Sequence, residues 1–186
     1  MREALSYTAF ALAAFAYVPY IASIAKGRVR PSKATWLIWV GIDILALGSM
    51  YAKYTLNGQI MAAALGATVV VVLSFVYGES GWTNLDKFCL MGAAIGLALW
   101  CFFDDPVLAL VASMITNTIG ALPMIVATWK DPKRENKLAW TVFWISCVCA
   151  LGSIEEWSFA SASQPVSFFT IGTATMVALY RRQLTL

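Results

Sequence analysis

Long runs of apolar residues, separated by short polar breaks, dominate this chain. A helix needs ~20 apolar residues to cross the ~30 Å hydrocarbon core of a bilayer, and seven runs approach that length. They lie at positions 4–25, 33–53, 58–77, 86–103, 107–129, 137–155 and 164–181. The breaks contain charged residues, Gly, Asn or Pro, which are typical of loops. The pattern therefore predicts an all-α membrane protein with seven transmembrane helices.

Composition supports a lipid environment. The chain has 186 residues, of which 60% are hydrophobic and 12% charged, and its mean hydropathy is +0.73. Ordinary soluble domains are about half apolar and about a quarter charged. The first apolar run is long enough to span a membrane and belongs to the internal repeat described below, so we expect it to be a membrane span rather than a cleavable signal peptide.

The basic residues predict an orientation. If the N-terminus lies outside, the inner loops and helix ends carry eleven Lys and Arg residues and the outer side carries only Arg2 and Lys53. The inner residues are Lys26, Arg28, Arg30, Lys33, Lys87, Lys130, Lys133, Arg134, Lys137, Arg181 and Arg182. Because cytoplasmic loops are enriched in basic residues, we expect the C-terminus in the cytoplasm. The small size suggests a bacterial inner membrane.

The chain also contains an internal copy of itself. The segment from Pro19 to Ser49 aligns without a gap with the segment from Pro123 to Ser153. Spans one to three therefore correspond to spans five to seven. Because one unmatched span separates the two triplets, both run in the same direction, which is the parallel-repeat arrangement of some transporters. We expect a first three-helix bundle at 1–80, a linker helix at 81–105 and a second bundle at 106–186.

Two polar residues break the repeat near the centre of the membrane. Asp43 lies ten residues from either end of the second span and is matched by Cys147, and Asn117 in the fifth span is matched by Ala13. A carboxylate at this depth must be paired or protonated, and an amide must be hydrogen-bonded or line a wet cavity. Two interpretations stay open for each residue, namely a structural hydrogen bond between helices or a site for a proton or substrate.

Aromatic and hydroxyl side chains supply weaker candidates. Trp39 and Trp144 lie one or two turns inside the membrane and would either pack in the core or contact a ring-bearing substrate. Thr68, Thr173 and Thr175 lie near mid-depth. They would either offer their hydroxyls to a polar solute or serve as packing residues, which is routine for threonine in membrane helices.

Prolines occur at matched positions in the first helix of each triplet. Pro19 and Pro123 each remove one backbone hydrogen bond and kink the helix. Either they are static kinks that improve packing, or they are hinges on which one side of the protein opens.

No sequence motif indicates an enzyme. The chain has no Walker loop, nucleophile elbow or dinucleotide fingerprint, and it contains no histidine. Its four cysteines lie in apolar stretches without zinc-type spacing. We therefore expect no catalytic activity, cofactor, metal or nucleic-acid partner.

The repeat resembles the PQ-loop motif. In the first copy, Pro19-Tyr20-Ile21 is followed by a basic turn ending at Lys33 and then by Trp36-Leu37-Ile38-Trp39-Val40-Gly41-Ile42-Asp43. The second copy, from Pro123 to Gly152, is similar but weaker. The layout of three, one and three helices is similar to that of the PQ-loop and SWEET transporter superfamily, and PnuC-type vitamin carriers have a similar layout. The glutamine of the PQ pair is Tyr20 here and Met124 in the second copy, and the asparagines that SWEET sugar facilitators use are missing.

The resemblance implies a transporter that moves a small polar solute by alternating access. Aspartates on these helices take part in proton coupling in some members, so Asp43 is the expected proton site. The partners of the protein would be the solute, the lipid bilayer and protons, and a homo-oligomer is compatible with the sequence. The alternatives are a PnuC-like vitamin facilitator, an ion channel, or a receptor or scaffold that transports nothing.

Overall fold

Seven α-helices make up the part of the chain that the computed structural model describes, which is residues 2–52, 58–102 and 106–181. They are α1 (Arg2–Ala25), α2 (Lys33–Ala52), α3 (Gly58–Tyr77), α4 (Asn84–Phe102), α5 (Pro106–Lys130), α6 (Lys137–Gly152) and α7 (Phe159–Tyr180). A short 3-10 helix, Pro132–Arg134, follows α5. These ranges contain no β-strand, so the all-α class is confirmed for the described residues.

The start of α7 differs from the predicted one. The helix begins at Phe159 rather than at position 164, because Ser158 and Ser161 cap it reciprocally. The Ser158 hydroxyl accepts from the backbone N–H of Ser161 at 3.1 Å, and the Ser161 hydroxyl accepts from the N–H of Ser158 at 3.0 Å. This capping box satisfies N–H groups that the first turn leaves unpaired. The small polar residues before Pro165 are therefore helical.

Three helical segments of the described residues are long and apolar enough to cross a membrane, namely Arg2–Ala25, Gln59–Tyr77 and Val111–Lys130. Large apolar side chains on α3 and α4 also face outward, among them Leu65, Val72, Val76, Phe88 and Met91, each more than half exposed. A soluble monomer rarely exposes so many large apolar side chains along its helices. The helices and this surface indicate membrane association.

The helices form two groups that meet along two seams. Within the first group, α3 packs against both α1 and α2, and within the second, α7 packs against both α5 and α6. The seams between the groups are α1 with α6 and α2 with α5, while α4 packs on α2 and α5.

Three loops meet at one end of the molecule, which we call the basic end: residues 26–32, 78–83 and 131–136. The backbone N–H of Arg30 donates to the carbonyl of Arg134 at 3.3 Å, and the Arg134 guanidinium forms an ion pair with Glu79. At the opposite end, the Arg2 guanidinium donates to the carbonyl of Glu155 at 3.2 Å. The loops after α1, α3 and α5 therefore lie together, as expected when successive helices alternate in direction.

Candidate functional site

A cavity lies between the two helix groups. All helices except α4 contribute to its wall. The space open to the centre of a water-sized sphere is about 60 Å³, which is several times the ~10–15 Å³ that one water requires. The lining residues are mostly aromatic or alanine, and two of them, Asp43 and Asn117, carry a carboxyl or amide group.

A continuous series of aromatic rings surrounds the cavity. Neighbouring ring centroids lie 5.2 to 6.2 Å apart, mainly edge to face, which is the favoured geometry for aromatic pairs. The rings are those of Tyr17, Tyr20, Trp36, Trp39, Trp140, Phe143 and Phe168. Tyr17 reaches across to α3, where its hydroxyl donates to the carbonyl of Ala63 at 3.3 Å. Its ring occupies the space that a Cβ at Gly66 would need, so glycine permits this close approach of α1 and α3.

Asp43 lies on the cavity wall and is only 6% exposed. Among the described residues no hydrogen bond to its carboxylate and no ion pair with it is formed. None of the lining residues is Lys or Arg. A buried carboxyl group without a partner is unfavourable in its charged form, so Asp43 is suited to take up a proton or a cation from the cavity.

Asn117 lies on the same wall and joins three helices. Its backbone carbonyl accepts a hydrogen bond from the Trp39 indole N–H of α2 at 3.3 Å. Its side-chain amide donates to the hydroxyl of Ser167 on α7 at 3.0 Å. The amide therefore fixes α5 against α7 while also lining the cavity, and both interpretations made from the sequence are compatible with this position.

Packed side chains close the molecule between the cavity and the basic end. The buried cluster draws on all the helices except α4 and contains Tyr20, Ile24, Val29, Trp36, Val40, Ala67, Val70, Met124, Ala139, Trp140 and Leu179. Of these, Ile24 and Val70 have no exposed surface. The floor of the cavity toward the basic end is therefore a closely packed apolar layer.

A buried glutamate lies beneath this layer. Glu135, in the loop before α6, is 6% exposed and accepts a hydrogen bond from the Trp140 indole N–H at 2.9 Å. The Tyr20 hydroxyl approaches the same carboxyl group without forming a well-aligned hydrogen bond. Burial raises the pKa of Glu135 to about 7, although Trp140, Tyr20 and Arg134 oppose the change. No pattern in the sequence indicates this site, because Glu135 follows Lys133 and Arg134 in a stretch whose charges are typical of a solvated loop.

The same loop ties the two helix groups together. The Asn136 side chain caps α6, since its oxygen accepts from the N–H of Ala139 at 2.8 Å. Its amide nitrogen donates to the carbonyl of Pro19 at 3.2 Å and to the hydroxyl of Ser23 at 2.5 Å. Together with the Arg134 ion pair to Glu79, these contacts form what we call the basic-end latch, residues 134–136.

Other residues predicted from the sequence lie away from the cavity wall. The Trp144 indole N–H donates to the hydroxyl of Thr173 at 2.9 Å and its ring packs on Phe169. The hydroxyls of Thr68 and Thr175 donate to backbone carbonyls of their own helices.

Pro19 and Pro123 lie inside α1 and α5, and each precedes a residue of the packed floor.

A second, more polar cavity lies near the opposite end. It measures about 400 Å³ and is bounded by the ends of α1, α3, α6 and α7, with Gln59, Glu155, Glu156, Ser158, Ser161 and Gln164 among its lining residues. We call it the polar vestibule. On α3, Gln59 lies four residues from Ala63 of the central cavity, about 6 Å along the helix axis.

No group of three or more metal-ligating His, Cys, Asp or Glu side chains occurs in the described part of the chain. Comparison with protein-family models, with curated proteins and with solved structures finds no match.

Proposed function

We propose that this protein is a membrane transporter that moves a small solute through the central cavity by alternating access. The observation that carries the proposal is the cavity itself. Both helix groups contribute to its wall, and the wall includes a buried carboxyl group without a partner among the described residues. A site between two repeats near the bilayer midplane is typical of secondary transporters. Proton coupling through Asp43 is part of the proposal.

The proposed architecture has seven transmembrane helices in two parallel triplets, with α4 as the linker. The packing of the described helices supports it. If α1, α2 and α3 correspond to α5, α6 and α7, the seam of α1 with α6 maps onto the seam of α5 with α2. The position of α3 between its neighbours likewise maps onto that of α7. A duplicated three-helix unit around a two-fold axis would produce both relations.

The proposed orientation places the basic end in the cytoplasm and the N-terminus outside. Its support is the clustering of three loops that carry or adjoin most of the basic residues, as the positive-inside rule requires. A bacterial inner membrane is the proposed location.

The alternating-access cycle requires that one end be sealed while the other gives access to the site. The packed floor and the basic-end latch supply a seal on the proposed cytoplasmic side. The polar vestibule supplies a cavity lined by polar side chains on the other side. In the proposed cycle this arrangement is the state closed to the cytoplasm.

Pro19 and Pro123 are the proposed hinges. Each lies next to the floor, and the carbonyl of Pro19 is held by Asn136 of the latch. Release of the latch would free the end of α1 beyond Pro19.

The rival is a receptor or scaffold with the same helices and no transport. Reconstituted proteoliposomes separate the two functions. We expect saturable uptake of at least one solute from a panel of sugars, amino acids, vitamins and organic amines. Ala63→Trp, at a 3% exposed position of the cavity wall, should abolish this uptake. Leu65→Trp is the matched control, because Leu65 lies on the same helix and is 71% exposed. If uptake never exceeds that of protein-free liposomes, or if both variants behave alike, the proposal is wrong.

A further inference from the structure

From the charge and lining of the central cavity, we infer that the solute is a small organic monocation, such as a quaternary ammonium or a protonated amine with apolar substituents. This inference rests on the proposed transport function and names the substrate class of the same site.

The first argument is charge balance. Asp43 is the one lining residue with a carboxylate, no basic residue shares the wall, and the described residues supply it no hydrogen-bond donor. A buried charge is stabilised only by an opposite charge or by hydrogen bonds. A monocation in the cavity supplies that charge. An anion would add repulsion, and a neutral solute would leave the carboxyl group to be neutralised by a proton.

The second argument is the aromatic wall. A cation close to the face of an aromatic ring is attracted by the quadrupole of the ring, and the attraction is strongest for Trp and for desolvated sites. Three Trp, two Tyr and two Phe rings line the cavity. A quaternary ammonium group, whose charge is spread over methyl groups, can contact several such rings at once.

The third argument concerns hydrogen bonds. The donors on the wall already have partners in three cases, since the Trp39 indole donates to the backbone carbonyl of Asn117, the Asn117 amide donates to the Ser167 hydroxyl, and the Tyr17 hydroxyl donates to the carbonyl of Ala63. The Tyr20 hydroxyl and the Trp36 indole nitrogen have no aligned partner among the described residues, but protein atoms cover both. A hydroxyl-rich sugar would lose its bonds to water and find few replacements. An ammonium with apolar substituents has fewer bonds to lose.

Binding of two isosteric probes to the purified full-length protein in lipid nanodiscs tests the inference. Choline is the first probe, and 3,3-dimethylbutan-1-ol, in which carbon replaces the ammonium nitrogen, is the second. Isothermal titration calorimetry should give a dissociation constant for choline at least tenfold lower than that for 3,3-dimethylbutan-1-ol. Asp43→Asn should remove this preference and Asp43→Glu should restore most of it. Thr170→Ala, at an exposed hydroxyl that bonds only its own helix, should change neither affinity.

Equal affinities for the two probes, or a preference for choline that survives in Asp43→Asn, would overturn the inference. Absence of choline binding at 10 mM would overturn it too. Uptake of a neutral solute in proteoliposomes without choline binding would contradict the inference but support the transport function. Charge-selective binding without uptake of any solute would support the inferred ligand class of the site but contradict the transport function. If Asp43→Asn does not fold, the comparison of the two probes on the wild-type protein still decides the inference.

Discussion

Replacing Glu135 by glutamine should make the protein more stable at pH 8 and leave it unchanged at pH 4. Glutamine can keep the hydrogen bond from the Trp140 indole, because its side-chain oxygen accepts as the carboxylate does. The groups that face Glu135 are Tyr20, Trp140, Arg134 and Glu79. Their combined effect, together with burial, places the pKa of Glu135 at about 7 in the folded protein, against an ordinary value of 4.5.

The sign of the effect follows from proton binding. Below pH 4.5 the carboxyl group is protonated in both the folded and the unfolded protein, so it contributes no pH dependence. Between pH 4.5 and about 7 the folded protein keeps a proton that the unfolded chain releases, and the free energy of unfolding therefore falls as the pH rises. At about 1.4 kcal/mol for each pH unit, the loss reaches about 3 kcal/mol near pH 7 and stays constant above it.

Reversible unfolding by SDS in mixed micelles, followed by circular dichroism between pH 4 and pH 8, measures this difference. The free energies of the wild-type protein and Glu135→Gln should diverge with rising pH, to the advantage of the variant. Glu156→Gln is the control, because Glu156 is an exposed glutamate at the opposite end, and it should follow the wild type. Parallel curves for wild type and Glu135→Gln, or a less stable variant at pH 8, would refute the reasoning.

The remaining predictions concern the seam, the latch and the cavity. Gly120→Ala places a methyl group 2.7 Å from Ile38 Cγ2 across the α2–α5 seam and should cost about 1–3 kcal/mol of unfolding free energy. Gly41→Ala, whose Cβ would meet nothing within 4 Å, should cost nothing in the same SDS titration; equal losses would contradict the packing. Asn136→Ala removes a helix cap and two contacts to α1 and should lower the melting temperature measured by differential scanning fluorimetry, an expectation that an unchanged melting temperature would rule out. Asp43→Asn should abolish the pH dependence of uptake in proteoliposomes without loss of fold, and an unchanged pH profile would remove its coupling role.

The helices could be predicted from the sequence because apolar runs of this length admit few alternatives. Every predicted span has its helix in the structure, and the largest difference, at the start of α7, comes from a capping box. The small polar residues from Ser158 to Gln164 look like a loop, but the two serine hydroxyls satisfy the first N–H groups and allow the helix to begin earlier.

The sequence was less informative about which face of a helix meets the cavity. Trp39 and Asp43 lie on the wall and Trp144 does not, although Trp39 and Trp144 follow the basic residues at the starts of their helices by similar distances in the sequence. Helices that are apolar all around carry no periodic signal to separate a lipid face from a cavity face. Trp140 lines the cavity and donates a hydrogen bond to Glu135, although a tryptophan three residues after the basic Lys137 is also typical of a membrane interface.

Accessibility of one cavity residue from each side of the membrane tests the central claim most directly. The variant carries Ala63→Cys in a background without native cysteines, together with Arg30→Cys and Arg134→Cys. The latter two positions are adjacent, since the Arg30 N–H bonds the Arg134 carbonyl, so oxidation can join them and lock the basic end. In oriented vesicles, a membrane-impermeant maleimide should reach the thiol introduced at position 63 from both sides when the lock is reduced. When the lock is oxidised, the reagent should reach this thiol only from the side opposite the basic end. Labelling from a single side, unchanged by the lock, would contradict alternating access.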